Sequence, residues 1–159
     1  KDTPATLPIE EDFESDIQQN WLAAGWHTET DPQAVDGTMA ARCVDGSRLA
    51  PSQENSLVLD RNLDLPVGSN VQATFWFRAS LQYQSWFRLQ YSTNDGASWN
   101  DVSSVNRTYT YNQPNYERLQ ADLSTLAGQS VRLRFNVSVS GHAPEALVRL
   151  DKLTIAEMP

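Results

Sequence analysis

The chain has 159 residues, 20 acidic side chains against 12 basic ones, and a formal net charge of -8. That length suits one domain with a real core. The acidic balance argues against a nucleic-acid partner, which needs a net basic footprint. No apolar run approaches the roughly 20 residues of a membrane-crossing helix, so membrane insertion is not expected. A single cysteine, Cys43, rules out an internal disulfide. It reads as a small buried hydrophobe, and a lone thiol fits a bacterial secreted protein better than a disulfide-stapled ectodomain.

Residues 1–8, with Pro4 and Pro8, read as a linker, and residues 9–159 as the domain. Lys1-Asp2-Thr3-Pro4 shows no signal-peptide pattern, so the chain is read as a mature or excised piece. Short helical turns are expected near 16–22 and 123–126, and no stretch has a sustained 3.6-residue period. Strands are expected at 71–78, 86–91, 131–137 and 146–155, with weaker ones at 26–30, 56–59, 99–105 and 116–122. About eight to ten short strands with Gly, Pro, Asn and Ser between them predict an all-β, antiparallel jelly-roll sandwich of two sheets.

Ser92-Thr93-Asn94-Asp95-Gly96-Ala97-Ser98-Trp99 lies between two of these strands and has the S-x-N-x-G-x-S-W spacing of an Asp-box. Asn and Asp bond back to their own backbone in turns, and Gly accepts positive φ. The box is read as a hairpin device with the Trp99 ring folded back over it. One box is too few for a propeller, which would repeat it in each blade.

Asp12-Phe13-Glu14 with Trp21 and Gly25-Trp26, residues 75–78 and 89–92, the box, the stretch from Leu123-Ser124 through Gly128 to Phe135, and Leu150-Asp151-Lys152-Leu153 follow one another in a specific order. In that order and spacing the sequence resembles MAM-like jelly-roll domains, including those of immune inhibitor A-type metalloproteases and reelin subrepeats. The likeness implies a structural Ca²⁺ held by Glu14 and Asp151, with Asp36 or Asp45 as a further ligand. Ca²⁺ takes six to eight hard oxygens, and two carboxylates with backbone carbonyls would clip the chain ends together. Lys152, where many relatives carry a second acid, weakens that case. The alternative is that these are solvated acids.

No enzyme is expected. His27 and His142 are read as surface-loop residues, and no nucleophile elbow accompanies them. Neither histidine has zinc-ligand spacing with Cys43. Asn106-Arg107-Thr108 and Asn136-Val137-Ser138 fit the glycosylation sequon, which matters only in a eukaryotic host.

Strand alternation points to binding, because successive side chains face opposite ways. Val71, Ala73, Phe75 and Phe77 point inward, as do Phe87, Leu89 and Tyr91, then Val131, Leu133, Phe135 and Val137, then Val148 and Leu150. The outward set includes Trp76, Arg78, Trp86, Arg88, Gln90, Arg132, Arg134, Arg149 and Asp151. Trp76, Trp86, Arg78, Arg88, Gln90, Arg132 and Arg134 are the candidate ligand-binding residues. Flat rings stack on a pyranose, and Arg or Gln bonds hydroxyls or carboxylates. If these strands share a sheet, Trp76 and Trp86 line one exposed shallow groove for a neutral or anionic glycan. Otherwise the arginines merely cover apolar sheet and pair with local acids. Tyr109, Tyr111 and Tyr116 form a second candidate surface.

The leading reading is a glycan-binding accessory module of a secreted or cell-surface bacterial protein, beside other domains of a larger chain. The alternative is a structural or protein-contacting domain, on a secreted protease or an adhesin, whose partner is a host or bacterial surface protein.

Overall fold

The computed structural model describes residues 3–46, 48–108, 112–141 and 145–159, with the backbone alone for 103 and 104. In chain order the strands are β1 (Ile9–Glu11), β2 (Trp21–Ala23), β3 (His27–Thr30), β4 (Met39–Arg42), β5 (Glu54–Leu59) and β6 (Leu63–Asp64). They continue with β7 (Val71–Ser80), β8 (Ser85–Ser92), β9 (Asn100–Arg107), β10 (Glu117–Asp122), β11 (Ser130–Val139) and β12 (Leu147–Glu157). Short 3-10 turns occupy Ile17–Gln19 and Ser124–Leu126. All eight expected strands form. The additional β1, β2, β4 and β6 have two to four residues each, too few to display a period.

Two antiparallel sheets pack face to face. Sheet I has the order β10-β7-β12-β4-β3, with β1 also paired to β12. Sheet II has the order β2-β5-β11-β8-β9, with β6 also paired to β11. This is the expected jelly-roll sandwich. The inner faces follow the alternation: Val71, Ala73, Phe75 and Phe77 from β7 meet Phe87 and Leu89 from β8 and Leu133, Phe135 and Val137 from β11, all buried. Phe135 is central. Its ring lies 5.0 Å from Phe75 at 77°, 6.1 Å from Phe87 and 6.3 Å from Trp21. Each such buried aromatic contributes about 1.5–3 kcal/mol of transfer free energy.

The linker reading of residues 1–8 needs correction. Ala5 pairs with Leu63, its N–H donates to the Asn62 carbonyl at 2.9 Å, and Ala5 and Leu7 pack against the core. An apolar residue at every second position gives this segment something to bury. Lys1 and Asp2 lie outside the described residues.

β12 carries a bulge that matters for the site. Its register with β7 steps from Asp151↔Trp76 to Thr154↔Thr74, and Lys152 has φ 50. One extra residue lets Leu150 and Leu153 both face the core while Asp151 faces outward.

Candidate functional site

The sheet order divides the expected residues between two outer faces. Trp76 and Arg78 stand on β7 in sheet I, whereas Trp86, Arg88, Gln90, Arg132 and Arg134 stand on β8 and β11 in sheet II. Trp76 and Trp86 therefore do not line one groove. The cause is the connection at 81–84, which crosses the end of the sandwich, so the sequential strands β7 and β8 belong to different sheets.

The outer face of sheet I is covered near β12 and β7. The segment at 31–39 crosses it, and its Val35 and Asp36 amides donate to Asp151 Oδ2 at 2.7 and 3.0 Å. Arg78 donates to Gln33 Oε1 at 2.6 Å and lies 3.5 Å from Asp31 Oδ2. The Tyr116 hydroxyl donates to the same Asp31 oxygen at 2.7 Å. Glu29 bridges Arg42 and Arg149, both at 2.9 Å. Burial disfavours charge on Asp31, but the Gln33 amide, the Tyr116 hydroxyl and the Arg78 and Arg149 guanidiniums outweigh it and hold its carboxyl below the usual range. Glu29 is also lowered, with burial outweighed by Arg42 and Arg149. Burial and the Asp31 carboxylate push the Tyr116 phenol far upward. Arg78 and Tyr116 thus have structural partners. Tyr109 and Tyr111, the rest of that candidate surface, lie outside the described residues.

On the outer face of sheet II the polar side chains bond to one another rather than to a covering loop. Cross-strand register sets Trp86 opposite Ser138, Arg88 opposite Asn136, Gln90 opposite Arg134 and Ser92 opposite Arg132. Arg134 Nε donates to Gln90 Oε1 at 2.7 Å, and Gln90 Nε2 donates to Asp101 Oδ1 at 2.8 Å. Asp101 Oδ2 lies 3.8 Å from Arg88 Nε. The Arg88 guanidinium lies 5.2 Å from the Trp86 ring centre, and that of Arg134 lies 4.4 Å from the Trp99 ring centre. Burial pulls Arg134 below the usual arginine value, against the charges of Glu54 and Asp101. Arg132 stands apart at the strand end, donating to Asn62 Oδ1 at 3.0 Å.

Two members of this face, Trp99 and Asp101, were absent from the candidate residues. The hairpin explains both. Ser92 Oγ donates to Asn94 Oδ1 and accepts from the Gly96 amide, while Asn94 Oδ1 accepts from the Ser98 amide. Asp95 and Gly96 take φ 58 and 88. This closed turn sends Trp99 back over Arg134 and sets Asp101 opposite Gln90. The signal was present in the box itself: its ring must rest on some neighbouring strand.

Glu14 and Asp151, the expected calcium ligands, already serve as acceptors. Glu14 accepts from the Thr38 and Met39 amides at 2.8 Å each, and Asp151 from Val35, Asp36 and Lys152. Burial, and then the Glu14 charge, keep the Asp151 carboxyl above its usual range despite those bonds. Among the described residues no group of three or more His, Cys, Asp or Glu is placed to hold a metal. This donor set fits an amide clip better than a calcium cage. Asp36 contributes its amide to the clip, and Asp45 lies 3.8 Å from His27 Nε2.

His27 is on strand β3, not in a loop, and His142 lies outside the described residues. Cys43 is fully buried and its thiol is pushed up to about 11 by burial, as a packing residue should be. Asn136 is buried and donates to Ser56 Oγ at 2.9 Å, so that sequon is closed in the folded chain. No helix among the described residues is long and apolar enough to cross a membrane.

The fold is a two-sheet β-sandwich, and solved adhesin and carbohydrate-binding domains are similar to it. The K1 cleaved adhesin domain of Lys-gingipain from Porphyromonas gingivalis W83 is similar with a TM-score of 0.72 and 19% identity, over 97% of this chain and 100% of that one. The carbohydrate-binding module TmCBM61, solved with β-1,4-galactotriose, gives 0.57 and 11%, over 93% and 99%. The CBM22 tandem of Paenibacillus barcinonensis Xyn10C gives 0.60 and 19%, over 98% and 46%. At these identities the likeness is one of fold. Other similar stretches belong to larger enzymes, such as an arabinofuranosidase of which 23% is covered. No protein-family model matches the chain, and the search of curated proteins found no match.

Proposed function

We propose that the chain is a non-catalytic accessory module of a secreted or cell-surface bacterial protein and binds glycan on the outer face of sheet II. The observation that carries this reading is the strip of half-buried Arg88 and Arg134 between the half-buried Trp86 and Trp99 rings, above a buried Gln90, held together by bonds among β8, β9 and β11. At about 3.3 Å per residue, Trp86 and the Gln90 row are about 13 Å apart along β8, a span for a short run of sugars. The rings offer apolar faces to pyranoses, and the guanidiniums offer hydroxyl partners, with Gln90 holding Arg134 in place. The resemblance to MAM-like domains belongs to this reading as support for an extracellular accessory role.

An array of neutral and acidic glycans probed with the intact chain tests it. Binding to at least one glycan class is expected. No binding at millimolar concentration, with the fold intact, would overturn it in favour of a protein-contacting domain, the reading favoured by the likeness to the gingipain adhesin domain.

A further inference from the structure

A second, differently built cleft lies at the end of sheet I. A cavity of about 190 Å³ is lined by Arg48, Arg78, Arg149, Ser80, Asn112 and Gln113. Leu147 adds an apolar wall. No acidic side chain lines it, in a chain of net charge -8.

The arginines are forced together by register. Arg149 on β12 lies between Arg42 on β4 and Arg78 on β7, so three guanidiniums share one cross-strand row. Like charges set opposite one another are destabilising. Glu29 and Asp31, which do not line the cleft, partly offset the row through Arg149 Nε and the Arg78 tip. Arg48 then adds a further cation from the loop after β4. Among the described residues its one hydrogen bond goes to Ser80 Oγ at 2.9 Å, and no acid lies within ion-pair distance of it.

Gln113 supplies the independent observation. Its exposure is 9%, and its Oε1 is fixed by the Ala79 amide at 2.8 Å. Its Nε2 is buried and has no hydrogen-bond partner. An unmet buried donor costs about 1–3 kcal/mol, and an acceptor group entering the cleft would remove that cost. The unmet donor and the excess of guanidinium ask for the same thing: an oxyanion that accepts several N–H bonds. Ser80 Oγ and the Asn112 amide, bonded to each other at 2.9 Å, add hydroxyl partners beside it.

We infer that this cleft binds the carboxylate of an acidic sugar, as a site separate from the sheet II face. The carboxylate sits among Arg48, Arg149 and Gln113 Nε2, and the ring hydroxyls meet Ser80 and Asn112.

The test is a ¹⁵N NMR titration of the full chain with galacturonate, galactose and acetate, following the arginine Nε and glutamine side-chain signals. Galacturonate should shift the Gln113 and Arg48 signals in the millimolar range, galactose should not, and acetate should bind about tenfold more weakly. Arg48→Gln should weaken galacturonate about tenfold with an unchanged melting midpoint. No response to galacturonate, an equal response to galactose, or unchanged affinity in Arg48→Gln would overturn the site. Acetate binding as tightly as galacturonate would overturn the sugar assignment. Trp86→Ala separates the two surfaces: these shifts should persist in it, and their loss would assign the binding to sheet II instead.

Discussion

Arg134 and Arg78 show how one residue type takes two roles. Arg134 is held by Gln90 and roofed by Trp99, both from neighbouring strands of its own sheet or the turn beside them. Arg78 is fastened to Gln33, Asp31 and Tyr116 from loops crossing its sheet. Removing Arg78 takes one cation from buried Asp31, which keeps the Gln33 amide, the Tyr116 hydroxyl and Arg149, so the loss is about 1–3 kcal/mol. Arg78→Ala should therefore lower stability measurably in a denaturant titration, whereas Arg134→Ala should act mainly on binding; the reverse pattern would contradict the assignment of faces. The lowered carboxyls give a pH signature. Because the folded pKa values of Glu29 and Asp31 lie below their unfolded ones, their contribution is present above the unfolded values, about pH 4, and is lost as pH falls through the folded values. Asp151, raised in the fold, has the opposite sign: its contribution is present below its unfolded value and is lost as pH rises through its folded one. Glu29→Gln should flatten the acid limb of a stability-against-pH curve, and an unchanged limb would contradict the pairing. The direction of each arginine was legible from alternation. Its partners were not, because Asp31 and Gln33 sit 45 or more positions from Arg78 and carry no period.

The β8–β9 hairpin was the element best announced by the sequence, because its chemistry is local. Every side-chain bond of its turn at 92–98 joins residues two to four apart. Asn94→Ala removes the acceptor for the Ser98 amide and the donor to Ser98 Oγ, so a loss of about 1–2 kcal/mol is expected. Because the turn also sets Trp99 on Arg134, that variant should weaken glycan binding along with stability. Stability lost with binding unchanged would detach Trp99 from the site. The segment at 31–39 is the opposite case. It is tied down by Glu14 and Asp151, residues 24 and 116 positions away, and nothing within its own sequence announces that it covers a sheet. Gly37 is its hinge, with φ 69, and a Cβ there would overlap the Glu14 carboxylate. Gly37→Ala should therefore loosen the clip and lower the melting midpoint; an unchanged midpoint would contradict the packing.

For the molecule as a whole, alternation separates inside from outside but not one sheet from the other. β7 and β8 are consecutive and similar in pattern, yet β7 pairs with β10 and β12 while β8 pairs with β9 and β11. That partnership is set by the packing of Phe75, Phe87 and Phe135 across the sandwich, a long-range fact absent from any local window. Phe135→Ala should cost about 3–5 kcal/mol. The chain ends meet through β1 on β12 and through the amide bonds of Glu14 and Asp151, so EDTA should leave the melting midpoint unchanged. A fall of several degrees would instead place Ca²⁺ at the clip, since a ligand of the native state must raise stability. The central claim is that the ligand face belongs to sheet II. Its most direct test is calorimetric titration of an array-identified glycan into the wild type, Trp86→Ala and Trp76→Ala. Affinity should fall at least about tenfold in Trp86→Ala, from the loss of stacking area, and stay unchanged in Trp76→Ala. Full affinity in Trp86→Ala, or loss confined to Trp76→Ala, would contradict the account.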